Sequence, residues 1–266
     1  MLRLTHPVCP SGAVAAALCA AALGSPPHAA NAQPAPTGWT FSVESYGWLT
    51  SMTGTAGAGF VRVPVDASFS DTLRAADSIL AFSGHAEARR GRFAIFGDGM
   101  WSRLGVNDVG TGPLRADVTS TFALAELGGA YTVQDGGFYE GRARGWSLDA
   151  LAGFRYTYIG NTIELRGGGG RASSDTDWVD PFAGLRLRAA LAPRWVASLR
   201  ADFGGWGAGS RFTCNVQALV GYRFTLFGTD AAAVIGYRAL SQDFESAKLV
   251  WDVTLHGPVI GLNLRF

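Results

Sequence analysis

Few residues of this sequence have the types and spacing that catalysis requires. His85 and Glu87 stand two positions apart, so on an extended strand they share one face. His256 stands beside Gly257-Pro258, where we interpret it as marking a bend before a last strand. Neither a Ser–His–acid order nor a metal-ligand spacing forms from these residues. We therefore expect no catalytic residues, no metal and no cofactor, and we interpret His85 as a polar residue of an interior.

Arginines and carboxylates offer a different chemistry, ion pairing inside a protein. The candidates share one property, a place on the polar side of a segment in which apolar and polar residues alternate. They are Arg155, Arg186, Arg188, Arg200, Arg223, Arg265, Glu44, Glu87, Asp98, Asp149 and Asp202, and Glu126 could join them. The arginine guanidinium stays charged when partly desolvated and can bridge two carboxylates. The set is consistent with structural filling of an interior, or with a lining for small solutes that has no strong charge preference because the signs are mixed.

The segments that carry these charges alternate with a period of two. In 195–203, for example, Trp195, Leu199 and Phe203 share one face, whereas Arg200 and Asp202 share the other. Such alternation indicates β-strands. The segments run to about ten residues or more, the length of a tilted membrane-spanning strand, and their aromatic residues cluster toward the ends, as in membrane girdles. A soluble barrel with a polar outer face is the alternative.

Composition and the N-terminal segment favour the membrane. Lys248 is the single lysine, and Lys+Arg at 22 nearly equals Asp+Glu at 21, so no nucleic-acid surface is indicated. A positive start at Arg3 precedes an apolar run over 13–23, and Ala30-Asn31-Ala32 fits a small-x-small cleavage site. We predict a cleaved signal peptide over 1–32 and a barrel domain over 33–266.

The strand count follows from fixing Phe266 at the periplasmic side, because both ends of such barrels are periplasmic. This gives ten strands, with eight or twelve as alternatives. They fall near 39–53, 78–90, 92–105, 117–133, 146–165, 178–191, 194–206, 213–226, 230–243 and 249–266. The stretch 54–77 is predicted as an excursion, either an outer loop or a plug, with an extended part over 60–70 and a short helix capped by Ser70. Outer loops are expected at 106–116, 166–178 and 243–248.

The C-terminal alternation of Ile260, Leu262, Leu264 and Phe266 resembles the sorting signal of outer-membrane proteins. The blocks 180–186, 221–224, 236–238 and 256–261 are similar to small proteobacterial outer-membrane β-barrel proteins, many of them described as porin-like. The resemblance implies location in the outer membrane of a Gram-negative cell, contact with outer-membrane lipid, and partnership with the barrel-assembly machinery and periplasmic chaperones during insertion. It brings no catalytic signature and no nucleic-acid partner.

The sequence thus predicts an all-β, antiparallel up-and-down transmembrane β-barrel. At ten strands the interior is only slightly wider than one filled by side chains. The leading functional hypothesis is a structural barrel or a narrow porin-like conduit for a small solute. The alternatives are a protein whose outer loops bind a surface ligand and, third, a lipid-modifying barrel enzyme.

Overall fold

The computed structural model describes residues 38–58, 61–111, 114–137, 145–166 and 170–266. The predicted signal peptide and its cleavage site lie outside these residues. The strands are β1 Trp39–Trp48, β2 Ser51–Ala58, β3 Val61–Ala67, β4 Ser78–Arg90, β5 Phe93–Thr111, β6 Leu114–Gly137, β7 Gly145–Leu165, β8 Gly170–Ala190, β9 Trp195–Gly205, β10 Phe212–Leu226, β11 Thr229–Glu245 and β12 Val250–Arg265, and the helix α1 is Phe69–Ala75.

Ten strands, β1 and β4 to β12, close into an antiparallel barrel. Each pairs with its neighbour in sequence order, and β1 joins both β4 and β12. The tight turns between β4 and β5, β8 and β9, and β10 and β11 lie at the same end as both termini of the barrel. The last of these turns uses Phe227 and Gly228 with φ of 50° and 83°, the left-handed backbone that two-residue hairpins favour. The predicted ten-stranded barrel is confirmed.

The excursion after β1 is neither an outer loop nor a plug. β2 continues upward from β1 and pairs with β12 from His256↔Ser51 to Val250↔Gly57. β3 returns along β2. Because β1 stops at Trp48 while β12 extends beyond it, the free edge of β12 accepts this hairpin. The hairpin therefore raises the barrel wall at the extracellular end without adding a membrane-spanning pair.

The helix predicted after β3 is present, but Ser70 does not cap it. The N-cap is Ser68, whose hydroxyl accepts a hydrogen bond from the backbone N–H of Asp71 at 3.1 Å. The Asp71 carboxylate in turn accepts from the Ser68 backbone N–H at 3.3 Å, which completes a capping box. Within the described ranges, no helix has the length and apolar character that a membrane span requires.

β1 and β4 pair only over their periplasmic halves. Their register runs from Trp39↔Arg90 to Ser45↔Gly84, and above it the Ser83 hydroxyl donates to the carbonyl of Tyr46. Residues 78–82 of β4 are exposed on both faces. A short seam thus opens in the wall beside the start of β2. Since unpaired backbone is costly in hydrocarbon, we expect the seam to lie at the level of the extracellular membrane–water interface.

The outside of the barrel is apolar and the inside is polar, the reverse of a soluble barrel. On β7, Phe154 is 62% exposed whereas its neighbour Arg155 is fully buried. Large outward side chains on other strands follow the same pattern: Phe41, Val43, Phe93, Ile95, Leu127, Val179, Ile235 and Ile260. This distribution identifies a transmembrane β-barrel, a fold of outer membranes.

Aromatic pairs mark the two interfaces. At the periplasmic level, the distance between ring centroids is 4.8 Å for Phe93 and Tyr131 and 5.2 Å for Trp195 and Tyr222. At the opposite level, Phe82 stacks on Trp101 at 5.5 Å. The apolar band between two girdles is the usual exterior of membrane barrels.

Two of the three predicted outer loops are wrong. β5 and β6 continue through most of 106–116, with a bulge between Val106 and Val109, and β8 begins at Gly170 within 166–178. Polar residues pair across these extensions, as in Asp117↔Glu164 and Thr162↔Ser173. The composition of these strand extensions resembles that of a loop, because both faces of a strand meet water above the membrane. A short turn remains at 246–249 in the third region.

Candidate functional site

Cross-strand register gathers the charged side chains inside the barrel. Residues that pair directly in neighbouring strands point to the same face. One inward row runs, strand by strand, through Glu44, His85, Asp98, Glu126, Arg155 and Asp180. A second row runs through Thr132, Asp149, Arg186, Arg200, Gln217 and Arg238. These rows supply the polar side chains of the lumen, which pack against one another as two layers.

The first layer is the deep cluster, which contains three arginines and three carboxylates: Arg155, Arg200, Arg238, Asp98, Glu126 and Asp202. Glu126 accepts hydrogen bonds from Arg155 Nε at 2.8 Å and from Arg200 Nη2 at 2.7 Å. It accepts a third from Arg238 Nη2 at 3.0 Å. Asp202 accepts from Arg155 Nη2 at 2.6 Å and from Arg200 Nε at 2.8 Å. Asp98 accepts from Arg238 Nη1 at 2.9 Å and from the Tyr46 hydroxyl at 3.0 Å. All six are buried, and equal numbers of opposite charges offset their desolvation.

The second layer is the periplasmic cluster, made of Arg89, Arg186, Arg188, Glu87 and Asp149. Glu87 pairs with Arg186 at 2.6 Å and with Arg188 at 3.3 Å. Asp149 pairs with the same two arginines at 3.0 and 3.1 Å and with Arg89 at 2.8 Å. The Thr132 hydroxyl also donates to Asp149, at 2.7 Å. Three guanidiniums thus meet two carboxylates, which leaves this layer with excess positive charge.

Two buried phenylalanines support the guanidiniums. The guanidinium carbon of Arg200 lies 5.3 Å from the ring centroids of both Phe96 and Phe182, a distance at which a cation is attracted to a ring face. Inward glycines leave room for these rings. A Cβ at Gly128 would lie 2.6 Å from Phe96 Cζ, and one at Gly153 would lie 2.8 Å from Phe182 Cζ. The glycines therefore set the space in which the arginines lie.

An aromatic layer covers the extracellular side of the deep cluster, and it consists of Trp48, Trp178, Phe244 and Trp251. Trp178 stacks on Phe244 with a centroid distance of 4.1 Å and an interplanar angle of 9°. The Trp48 ring lies 4.9 Å from the guanidinium carbon of Arg238, so the aromatic layer rests directly on the deep cluster. The four side chains are buried. The extracellular half of the lumen is thus packed rather than open.

Asp180 holds the β9–β10 turn against the aromatic layer. Its carboxylate accepts hydrogen bonds from the backbone N–H and the hydroxyl of Ser210, at 2.6 and 2.8 Å. It also accepts from the Trp178 indole N–H at 3.1 Å. The turn is thereby held against the lumen, which adds a cover at the extracellular end.

Ion pairs of the extracellular rim lie on the strand extensions. Arg62 pairs with Glu245 at 2.6 Å, and Arg211 pairs with the same carboxylate at 2.8 Å. Arg166, just past the end of β7, donates to Asp117 at 2.8 Å, and this hydrogen bond raises the pKa of Arg166. These exposed pairs contribute little to stability, so the rim is a solvated surface.

A cavity of about 1240 Å³ occupies the periplasmic half of the lumen. The deep and periplasmic clusters form its inner wall. Arg223 and Arg265 line it nearer the mouth, and Glu44 lines it beside His85, outside both clusters. Glu44 accepts a hydrogen bond from the Asn263 amide at 3.2 Å. Solvent from the periplasmic side therefore reaches the wall of this cavity, whereas Arg155, Glu126 and Asp202 lie behind it.

His85 and His256 lie on opposite faces of the barrel wall, so they form no shared site. His85 faces the cavity with Nδ1 at 3.5 Å from Asp98 Oδ2. His256 does not mark a bend, because it lies within β12, faces outward, and its Nδ1 lies 2.7 Å from the Tyr237 hydroxyl at the outer girdle. In the part of the chain that the structure describes, no group of three metal-ligating side chains forms.

Sequence reasoning and structure differ most in the membership of the clusters. Of the eleven predicted lumen residues, eight lie in the two clusters, Arg223 and Arg265 lie at the mouth of the cavity, and Glu44 lies on the cavity wall beside His85. The outward set at the C-terminus, Ile260, Leu262, Leu264 and Phe266, lies on the lipid-facing side of β12 and at its end. The predicted set omits Arg238 and Arg89, although the alternation of β11 around Tyr237 indicates an inward Arg238.

No protein-family model and no curated protein sequence matches the chain. Among solved structures, the outer membrane protease OmpT of Escherichia coli is similar at 10% identity, covering 89% of this chain and 99% of that chain with a TM-score of 0.49. Ail, the attachment invasion locus protein of Yersinia pestis, solved in complex with the heparin analogue sucrose octasulfate, is 11% identical, with 87% and 100% coverage and a TM-score of 0.39. Neisserial surface protein A is 10% identical, with 86% and 97% coverage and a TM-score of 0.29. At these identities the likeness concerns barrel architecture alone.

Proposed function

We propose that this chain is a sealed, non-catalytic outer-membrane barrel, which crosses the membrane without forming an open channel. Such a barrel acts as a structural element of the outer membrane. The observation that carries the proposal is the Arg238–Glu126 ion pair of 3.0 Å. β11 and β6 are five strands apart in either direction around the ten-stranded wall, so this pair joins opposite sides of the lumen.

A hydrated ion would have to break two successive layers to pass. The deep cluster holds its side chains at 0–8% exposure, and each broken pair would leave an uncompensated buried charge. The stacked Trp178 and Phe244 then block the next level. A wide diffusion porin needs more strands and a water-filled interior. These features favour the structural form of the hypothesis over a porin-like conduit.

The alternative of surface binding gains no specific support from the extracellular end. The strand extensions pair their arginines with carboxylates of the same rim, as in Arg62–Glu245 and Arg211–Asp243. These charges are satisfied within the chain, so they do not mark a patch that needs a charged partner.

Solute flux into proteoliposomes tests the proposal. Liposomes that contain the wild-type protein are expected to swell no faster in sugar or amino-acid solutions than empty liposomes. The triple variant Arg238→Ala, Asp98→Ala and Trp48→Ala removes one balanced ion pair and the ring that rests on it. We expect this variant to swell measurably faster, because the two layers are then breached on one side of the lumen.

The matched control is Arg223→Ala with Asp230→Ala, which also removes one charge of each sign but at the mouth of the cavity. It is expected to remain impermeable. Heat-modifiable migration in detergent checks that each variant is folded. Rapid swelling with the wild-type protein would overturn the proposal.

A further inference from the structure

The periplasmic cavity is large enough to admit a small molecule and is open on one side. Its volume of about 1240 Å³ slightly exceeds that of typical ligand pockets. It is closed on its inner side by the two charged clusters, and it opens only toward the periplasm if the barrel is sealed as proposed. A solute that enters therefore meets charged side chains at a dead end.

Two arginines line this cavity without a carboxylate in ion-pair contact among the described residues. Arg223 pairs in register with Ala232, which pairs with Asn263, and Arg265 lies two residues farther along the same face of β12. Both line the cavity. β11 lies between them, so their strands are about 10 Å apart, a gap that two long arginine side chains can close toward one bound group.

The neighbouring carboxylates do not match these arginines in number. Asp230 pairs in register with Arg265 and stands two residues from Ala232, the partner of Arg223, so one carboxylate lies near two guanidiniums. Deeper in the cavity, the periplasmic cluster also has one more arginine than carboxylates. Its Arg188 is the most accessible member, with a side chain 32% exposed, and it too lines the cavity.

We propose that this cavity binds a small anion, a phosphate or carboxylate group held by Arg223 and Arg265 and faced by Arg188. Guanidiniums are suited to this because their planar donors match the oxygens of such groups in pairs. The site goes beyond the sealed-barrel function, since a sealed barrel needs no ligand.

Glu44 limits the kind of anion that fits. Its carboxylate lies on the cavity wall, next to Asn263 and opposite His85 in register. A second negative group on the ligand would be repelled there, whereas a hydroxyl or amine could donate to it. We therefore expect a ligand with one anionic group and a neutral or donor-bearing remainder.

Isothermal titration calorimetry of the full barrel in non-ionic detergent at low salt tests the site, with inorganic phosphate as the probe. Wild-type protein is expected to bind phosphate, with weaker binding as salt is raised. The double variant Arg223→Gln and Arg265→Gln is expected to lose about tenfold or more in affinity, the scale of a lost charge-assisted hydrogen bond. Arg188→Gln is expected to have a smaller effect in the same direction.

The control is Arg62→Gln with Arg211→Gln, which removes the same charge at the opposite end of the barrel and should bind phosphate as the wild type does. A parallel titration in nanodiscs, with and without phosphatidate, separates two sources of the anion. Binding of free phosphate supports a periplasmic solute, whereas competition by phosphatidate supports a lipid headgroup.

Binding of an anion from either source supports the proposal if the affinity depends on Arg223 and Arg265. Binding by neither probe, or equal binding by the double variant, would overturn it. Failure here would leave the flux result unaffected, because the deep cluster is intact in all these variants.

Discussion

At the scale of single residues, Arg155 shows how the lumen carries its charge. The side chain is fully buried, and its guanidinium contacts Glu126, Asp202 and the Thr213 hydroxyl, at 2.8, 2.6 and 3.0 Å. It also lies 5.1 Å from the Phe182 ring centroid. Each of the three guanidinium nitrogens thus donates a hydrogen bond, and such pairing is the condition under which a buried charge is tolerated.

Replacement of Arg155 by Met should destabilise the barrel strongly. The change leaves Glu126 and Asp202 with one fewer partner in a site that water does not reach, and breaking a buried pair in this way costs about 3–5 kcal/mol of unfolding free energy. Urea unfolding in detergent micelles or liposomes, followed by tryptophan fluorescence, measures the change. Arg223→Met, at the mouth of the cavity, should cost no more than about 0.5 kcal/mol. Equal unfolding midpoints for the two variants would contradict this account of the deep cluster.

At the scale of elements, glycine positions decide how the strands enclose their contents. On β6, Gly128 faces the lumen and Gly129 faces outward. A Cβ at Gly128 would lie 2.6 Å from Phe96 Cζ and 2.9 Å from the carbonyl oxygen of Ala152. At Gly129 the nearest atom would be the carbonyl oxygen of Ala94, at 3.8 Å, which is ordinary contact. Two neighbours in one strand thus have opposite tolerance for a methyl group.

Gly128→Ala is therefore expected to lower the free energy of unfolding by about 1–3 kcal/mol, the usual cost of overpacking. Gly129→Ala has the same composition change and should be neutral within about 0.5 kcal/mol. Equilibrium unfolding of both variants under identical lipid conditions makes the comparison. If Gly129→Ala proved the more damaging, the assigned faces of β6 would be wrong.

The elements also differ in how far local sequence patterns predict their structure. Alternation predicted the inward faces of β7 and β9, because the period of two is a property of each strand by itself. The extended segment and helix after β1 were likewise recognisable. The docking position of the β2–β3 hairpin was not recognisable from the sequence. It depends on the free edge of β12 that is left beyond Trp48. The polar extensions of β5 to β8 have the composition of loops for a related reason, because they pair above the membrane, where both faces of a strand meet water.

At the scale of the whole molecule, closure of the barrel creates contacts that sequence spacing does not contain. Arg238 and Glu126 are 112 residues apart and on opposite walls, yet their atoms meet at 3.0 Å. The sequence predicted a mixed-charge interior, but the choice of partner follows from strand number and register together. The same closure confines the open space to the periplasmic half, where Arg223 and Arg265 lie.

Single-channel recording in planar bilayers tests the central claim, that these layers seal the lumen, most directly. In potassium chloride the inserted wild-type barrel is expected to show no conductance steps above the bare-bilayer baseline. Insertion is verified separately by heat-modifiable migration of the recovered protein. Stable, uniform conductance steps from the wild-type barrel would contradict the account, because an ion would then be passing a lumen that the Arg238–Glu126 pair spans from wall to wall.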